Sequence, residues 1–182
     1  MDEIKQVKKD TNIDINNQTP EYIKEIARKT LLVEIESPRA CIMIVAAYME
    51  DLITRILKKS LVIPLDVNDE LFCEYGPVYN FGAKLNLAYR MGLISQDLLW
   101  ALNKIRKLRD KCAHTHSEIS FNDDTIKDLV FEIHGRLTKI HKGDTSLEKF
   151  QSIAQGILIT LWDKFTSIES TAFKAIKEPL FN

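Results

Sequence analysis

The chain has 182 residues, of which 45% are hydrophobic and 28% charged, a composition typical of a globular domain with its own core. Its formal net charge of −1 at pH 7 argues against a large nucleic-acid footprint, because proteins that bind DNA or RNA usually carry a basic face. The first residues show no signal-peptide pattern, and no apolar run is long enough to span a bilayer. The three cysteines form no CxxC pair, so we expect reduced thiols in a cytoplasmic protein.

Helical periodicity runs through most of the chain and predicts an all-α, single-domain bundle of about six helices. Residues 1–18 are polar and predict a loose arm ahead of a helical domain over 19–182. Thr19-Pro20 and Ser37-Pro38 each predict a helix start, Gly92 a helix end, and Thr145 to Glu148 a capping box. The predicted helices are 20–31, 38–60, 81–90, 96–111, 126–140 and 146–177.

One arginine falls on the apolar face of the helix predicted over 96–111. Arg109 lies near the middle of that face at about 100° per residue. Because burying an unpaired guanidinium costs several kcal/mol, Arg109 needs a partner or a task. One explanation is a structural ion pair with Glu50 or Asp51 on the helix predicted over 38–60. The apolar residues of this face are Leu98, Leu102, Ile105, Leu108 and Cys112.

The run from Arg109 to His114 offers a second explanation, which is RNA cleavage without a metal. A histidine titrating near neutral pH can act as general acid or base, and an arginine can hold the phosphate. Asp110 precedes His114 by four residues, so it can orient the imidazole. Arg109 and His114 lie about 140° apart around a regular helix, so they converge only if the helix ends or bends near Ala113, or if a second copy completes the site.

Other patterns are less specific. The cations Lys104, Arg106, Lys107 and Lys111 form either a solvated helix face or an RNA contact surface. Residues 88–98 have helix-turn-helix spacing, but the would-be recognition helix opens with acidic and apolar residues, which argues against direct DNA reading. No ligand spacing joins the histidines and cysteines, so we expect no metal and no cofactor.

Two segments resemble the mannitol operon repressor (MtlR) family. Residues 81–95 (FGAKLNLAYRMGLIS) match its lysine-containing helix and the following turn, and residues 102–114 (LNKIRKLRDKCAH) match its arginine-rich segment. Residues 46–53 (AAYMEDLI) resemble the family's acidic and aliphatic second helix. The chain departs from the pattern at Asp110, where asparagine is usual. The resemblance implies a transcriptional regulator, a repressor or corepressor, that acts through protein contacts.

The short core of Arg109, Asp110 and His114 is also similar to the HEPN superfamily, an all-helical group with dimeric, metal-independent ribonucleases. That resemblance implies that the three residues would be catalytic, in a toxin or defence setting. A third alternative is a helical partner subunit without chemistry. The sequence thus predicts a protein partner or a homodimer and leaves RNA binding open.

Overall fold

The computed structural model describes residues 37–64, 69–137 and 145–169, and these residues contain five α-helices and no strand. The all-α prediction is confirmed, and the helices predicted over 38–60 and 81–90 have the predicted bounds. The arm predicted over 1–18 and the helix predicted over 20–31 lie outside the described residues, so five helices here stand against about six predicted for the whole chain. The helices are α1 (Pro38–Ser60), α2 (Phe81–Arg90), α3 (Gln96–His114), α4 (Asp124–Leu137) and α5 (Ser146–Ser167).

Helix α1 is the centre of the bundle and packs against α2, α3 and α5. Its buried residues recur at three- and four-residue spacing over a wide face, as expected for a helix covered on several sides. Coverage is not complete, because the side chain of Ile44 is 48% exposed. Each fully buried Leu or Ile contributes about 1.5–3 kcal/mol through removal of apolar surface from water. The buried residues of α1 are Cys41, Ile42, Val45, Ala46, Met49, Leu52, Ile53, Ile56 and Leu57.

A glycine turn joins α2 to α3 at the predicted position. Gly92 has φ +68°, a left-handed conformation that residues with a Cβ rarely adopt. The Leu93 amide donates to the Ala88 carbonyl at 2.9 Å and the Gly92 amide to the Tyr89 carbonyl at 2.9 Å, which is the Schellman pattern. This turn sets α3 beside α2, and both helices contact α1.

The last described helix ends earlier than its apolar pattern predicts. The prediction that it continues to about residue 177 is wrong, since α5 ends at Ser167 and Ile168 is extended. The hydroxyl groups of Thr166 and Ser167 donate to carbonyls three residues back, at 3.0 and 2.9 Å. Such bonds give the last carbonyls a partner other than a following helical turn. Ile168 still packs on the core, which explains why periodicity alone extended the helix.

The connection between α3 and α4 contributes to the core despite its polar composition. Ile119 and Phe121 are buried, and the Phe121 ring lies 5.2 Å from that of Phe150 on α5. Among the described helices, none combines the length and the apolar character that crossing a membrane requires.

Candidate functional site

Three helices meet at a shared carboxylate. Glu50 on α1 accepts from Lys84 Nζ on α2 at 2.8 Å and from Arg109 Nη1 on α3 at 3.1 Å, each with a different oxygen. The side chains are 23%, 12% and 27% exposed, respectively. Because the cations are more than two-thirds shielded from water, each needs this partner more than an exposed ion would.

Local sequence explains why these charges point inward. Lys84 lies on the α2 face that carries the buried residues Phe81, Leu85 and Ala88. Glu50 follows the buried Met49 and lies three residues before the buried Ile53. Its largely covered side chain faces α2 and α3, where it binds Lys84 and Arg109. Lys84, like Arg109, is a charged residue on an apolar helix face. This pattern could have predicted that Lys84 is largely covered, but we used it only for Arg109.

Arg109 lies at the edge of the buried face of α3. Ala101 is fully buried whereas Leu98 is only half-buried, so the face is rotated away from Arg109 relative to the sequence prediction. Besides Glu50, the guanidinium binds Asp110 Oδ1 through Nε at 3.1 Å and Nη2 at 2.9 Å. It also lies 5.8 Å from the centre of the Phe81 ring. Asp51, the other carboxylate considered for Arg109, binds Arg55 Nε at 2.6 Å.

Two of the three proposed RNA-cleaving residues, Arg109 and Asp110, bind each other. Asp110 binds Arg109 and lies 3.5 Å from Arg106 Nη1, so its carboxylate is engaged by arginines. His114 is exposed and is the last residue of α3, with Thr115 as the C-cap. The angle of about 140° between Arg109 and His114 therefore remains. That His114 and Arg109 act in one site stays a prediction.

The basic run on α3 is partly neutralised. Lys104 Nζ lies 2.9 and 2.7 Å from the two oxygens of Glu132 on α4, and Arg106 pairs with Asp110. Lys107 and Lys111 are exposed. This surface therefore offers two solvated cations, fewer than the four considered as RNA contacts.

An arginine that the sequence did not single out ties the end of α3 to the start of α1. Arg39 donates through Nη1 to the Cys112 carbonyl and through Nη2 to the Ser117 carbonyl, the second at 2.8 Å. Carbonyls at a helix C-terminus lack helical partners and attract cations. The sequence around Arg39 does not predict this contact, because Arg39 and Cys112 are 73 positions apart in the chain.

The thiols differ in reactivity. Burial raises the pKa of Cys41 to about 11, and burial raises that of Cys112 against the opposing effect of Arg39 and Lys111. Cys73 is exposed, and none of the three forms a disulfide. In the described ranges no group of three His, Cys, Asp or Glu side chains is placed to hold a metal ion.

Fold and site define an all-helical protein whose central charges join helices to one another. The sequence profile described as "Mannitol repressor" matches residues 38–157, and the chain belongs to this family. A chain in the X-ray structure of the MtlR–HPr complex from Escherichia coli is similar, with a TM-score of 0.56 and 14% identity over 81% of this chain and 98% of that one. That likeness shows the fold. No curated protein matches the chain.

Proposed function

We propose that this protein is a transcriptional regulator of the mannitol repressor type that acts by binding a protein partner rather than by reading DNA itself. The observation that carries the proposal is the family match over residues 38–157. The similar fold of a chain found in a complex with HPr makes HPr of the same organism the first partner to test.

The surface of α3 supports the part of the proposal that concerns DNA. A recognition helix needs an exposed, hydrogen-bonding N-terminal face for the major groove. The first turn of α3 carries Asp97, which binds Arg136 of α4 at 2.7 Å. Lys104, two turns further along α3, binds Glu132 of α4. An acidic start and neutralised cations are poorly suited to a phosphate-lined groove.

The loop over 69–80 is the surface that we assign to the partner. Five backbone hydrogen bonds fold this loop on itself, among them Val78 N to the Leu71 carbonyl at 3.0 Å. The loop holds Tyr75 at φ 69° with 93% of its side chain exposed. Backbone strain and a displayed tyrosine are both enriched at contact sites, and a rigid loop loses little entropy on binding.

The test is calorimetric titration of the full chain with HPr of the same organism, together with anisotropy of duplex DNA from the promoters next to its gene. We expect saturable binding to HPr and no sequence preference for DNA at physiological salt. Tyr75→Ala should weaken HPr binding about tenfold or more, while the matched variant Tyr89→Ala, at the far end of α2, should not. Sequence-specific DNA binding by the chain alone, or no binding to HPr, would contradict the proposal. The molar mass in solution tests whether a homodimer forms.

The ribonuclease hypothesis receives less support from the geometry. Glu50 and Asp110 engage three of the five N–H groups of Arg109, so ion pairing already gives this arginine a structural role. His114 lies about 140° from Arg109 around the same helix. The alternative of a non-catalytic partner subunit differs from our proposal only in the process it serves.

A further inference from the structure

A cleft of about 330 Å³ opens directly above the shared carboxylate. Glu50, Lys84 and Arg109 form part of its lining, and Asn80 lies at its edge, where its side-chain oxygen caps α2. A volume of this size is in the range of small-molecule sites. Its aromatic lining residues are Phe72, Tyr79 and Phe81.

The charges around the cleft do not balance. Lys84 and Arg109 share the single carboxylate of Glu50, while Asp110 serves both Arg109 and Arg106. Among the residues that line the cleft, two cations therefore face one carboxylate, which leaves a surplus of one positive charge in a half-buried place. A surplus charge with restricted access to water attracts an anion more strongly than an exposed lysine does.

The donors are available as well as the charge. Within the described residues, two N–H groups of Arg109 remain beyond those used by Glu50 and Asp110. Lys84 contributes an ammonium with three donors, of which Glu50 takes one. An anionic group bound between the two side chains would form charge-assisted hydrogen bonds with both.

The aromatic lining residues of the cleft indicate which groups a bound anion would carry. Phe72 is half-buried, Phe81 is buried, and Tyr79 is 51% exposed at the cleft. Exposed aromatic surface is stabilised when an apolar or planar group covers it. A bare inorganic anion would leave this surface in water.

We propose that the cleft binds a small organic anion, with its charged group between Lys84 and Arg109 and its apolar body against Phe72 and Tyr79. This site adds a ligand to the regulator, and three of its lining residues, Phe72, Tyr79 and Asn80, belong to the loop over 69–80 that we assign to the partner. The ligand class is a carboxylate or phosphate monoester carried by a ring-sized body.

The experiment follows backbone amide shifts of the full chain by NMR during titration with four probes: phenyl phosphate, benzoate, inorganic phosphate and benzamide. We expect saturable shifts in residues 80–84 with phenyl phosphate and benzoate. Benzamide, which has the same shape as benzoate but no charge, should not bind, and inorganic phosphate should bind about tenfold more weakly than phenyl phosphate.

Variants separate this site from general surface charge. Lys84→Met should weaken phenyl phosphate binding about tenfold or more because the charge surplus disappears. Lys104→Met removes a cation from a comparable lysine–glutamate pair on α3 and should leave binding unchanged. Tyr79→Ala, at an exposed position, should weaken phenyl phosphate binding but not inorganic phosphate binding, even if Lys84→Met fails to fold. Absence of saturable shifts in the wild type, binding of benzamide equal to that of benzoate, or equal losses in Lys84→Met and Lys104→Met would overturn the proposal.

Discussion

Glu50 Oε2 and Arg109 Nη1 lie 3.1 Å apart and join the central helix α1 to α3. The other oxygen of Glu50 binds Lys84 of α2, so one carboxylate pairs with cations from two helices. Removing it leaves two largely covered cations without that partner, whereas removing either cation leaves the carboxylate paired.

Glu50→Gln should therefore lower the free energy of unfolding by about 1–3 kcal/mol, because two charge-assisted bonds lose their acceptor charge. The matched variant is Asp51→Asn, the next residue on α1, whose half-exposed carboxylate pairs with Arg55 and with no other cation among the described residues. Its loss should stay below about 0.5 kcal/mol. Urea unfolding measures the free energy of unfolding of both variants. Equal decreases would show that the shared carboxylate of Glu50 stabilises the fold no more than the exposed carboxylate of Asp51 does.

His114→Ala tests catalysis. The side chain is exposed and belongs to the last residue of α3, so the free energy of unfolding of the variant should lie within about 0.5 kcal/mol of that of the wild type. We expect purified wild-type protein to leave labelled RNA intact, and we expect the variant to keep any regulatory phenotype of the wild type. His116→Ala, two residues beyond, is the control. Cleavage by the wild type that is lost in His114→Ala and kept in His116→Ala would restore the ribonuclease hypothesis.

The capping box at the start of α5 should contribute measurably to the free energy of unfolding. Thr145 Oγ1 accepts from the Glu148 amide at 3.2 Å, and Glu148 Oε2 accepts from the Thr145 amide at 3.0 Å. Thr145→Ala should cost about 1 kcal/mol in chemical unfolding. Ser37→Ala should cost much less, because the Ser37 side chain makes no capping bond to α1. A loss at Ser37 as large as that at Thr145 would contradict this assignment.

The buried thiols make stability fall in alkali. Burial raises the pKa of Cys41 from its ordinary value of 9.0 to about 11, so the unfolded state releases this proton first. The contribution of the neutral Cys41 thiol to the free energy of unfolding is fully present below pH 9 and declines as pH rises from 9 towards 11. The free energy of unfolding of each protein is measured with urea at pH 8 and again between pH 9 and 11. Its decline from the value at pH 8 should be smaller in Cys41→Ala than in the wild type. An unchanged pH slope would rule out Cys41 as a source of the decline.

Thiol labelling gives an independent check of burial. At pH 8 the native chain should react rapidly at one thiol, Cys73, and at all three after denaturation. Cys73→Ser should abolish the rapid phase. Rapid labelling of Cys73→Ser in the native state would mean that the core around Cys41 or Cys112 opens readily.

Local signals predicted the helices well and the site only in part. Proline after a serine and glycine after α2 act within a few residues, so they gave correct starts and ends. The end of α5 depends on two hydroxyl groups that bond back to the helix, and apolar spacing does not register such bonds. Arg109 could be recognised because it interrupts an apolar stripe. Arg39 could not, because its acceptors at 112 and 117 become neighbours only in the folded chain.

The two tryptophans report on different parts of the bundle. Trp162 is buried beside Phe165 on α5, whereas Trp100 on α3 has Lys104 at 5.3 Å and Arg136 of α4 at 4.5 Å from its ring. Fluorescence of Trp100 should therefore change when α4 separates from α3, while Trp162 should follow the core. A single-tryptophan variant at either position thus turns the native chain into its own optical probe, able to tell detachment of one helix from unfolding of the whole.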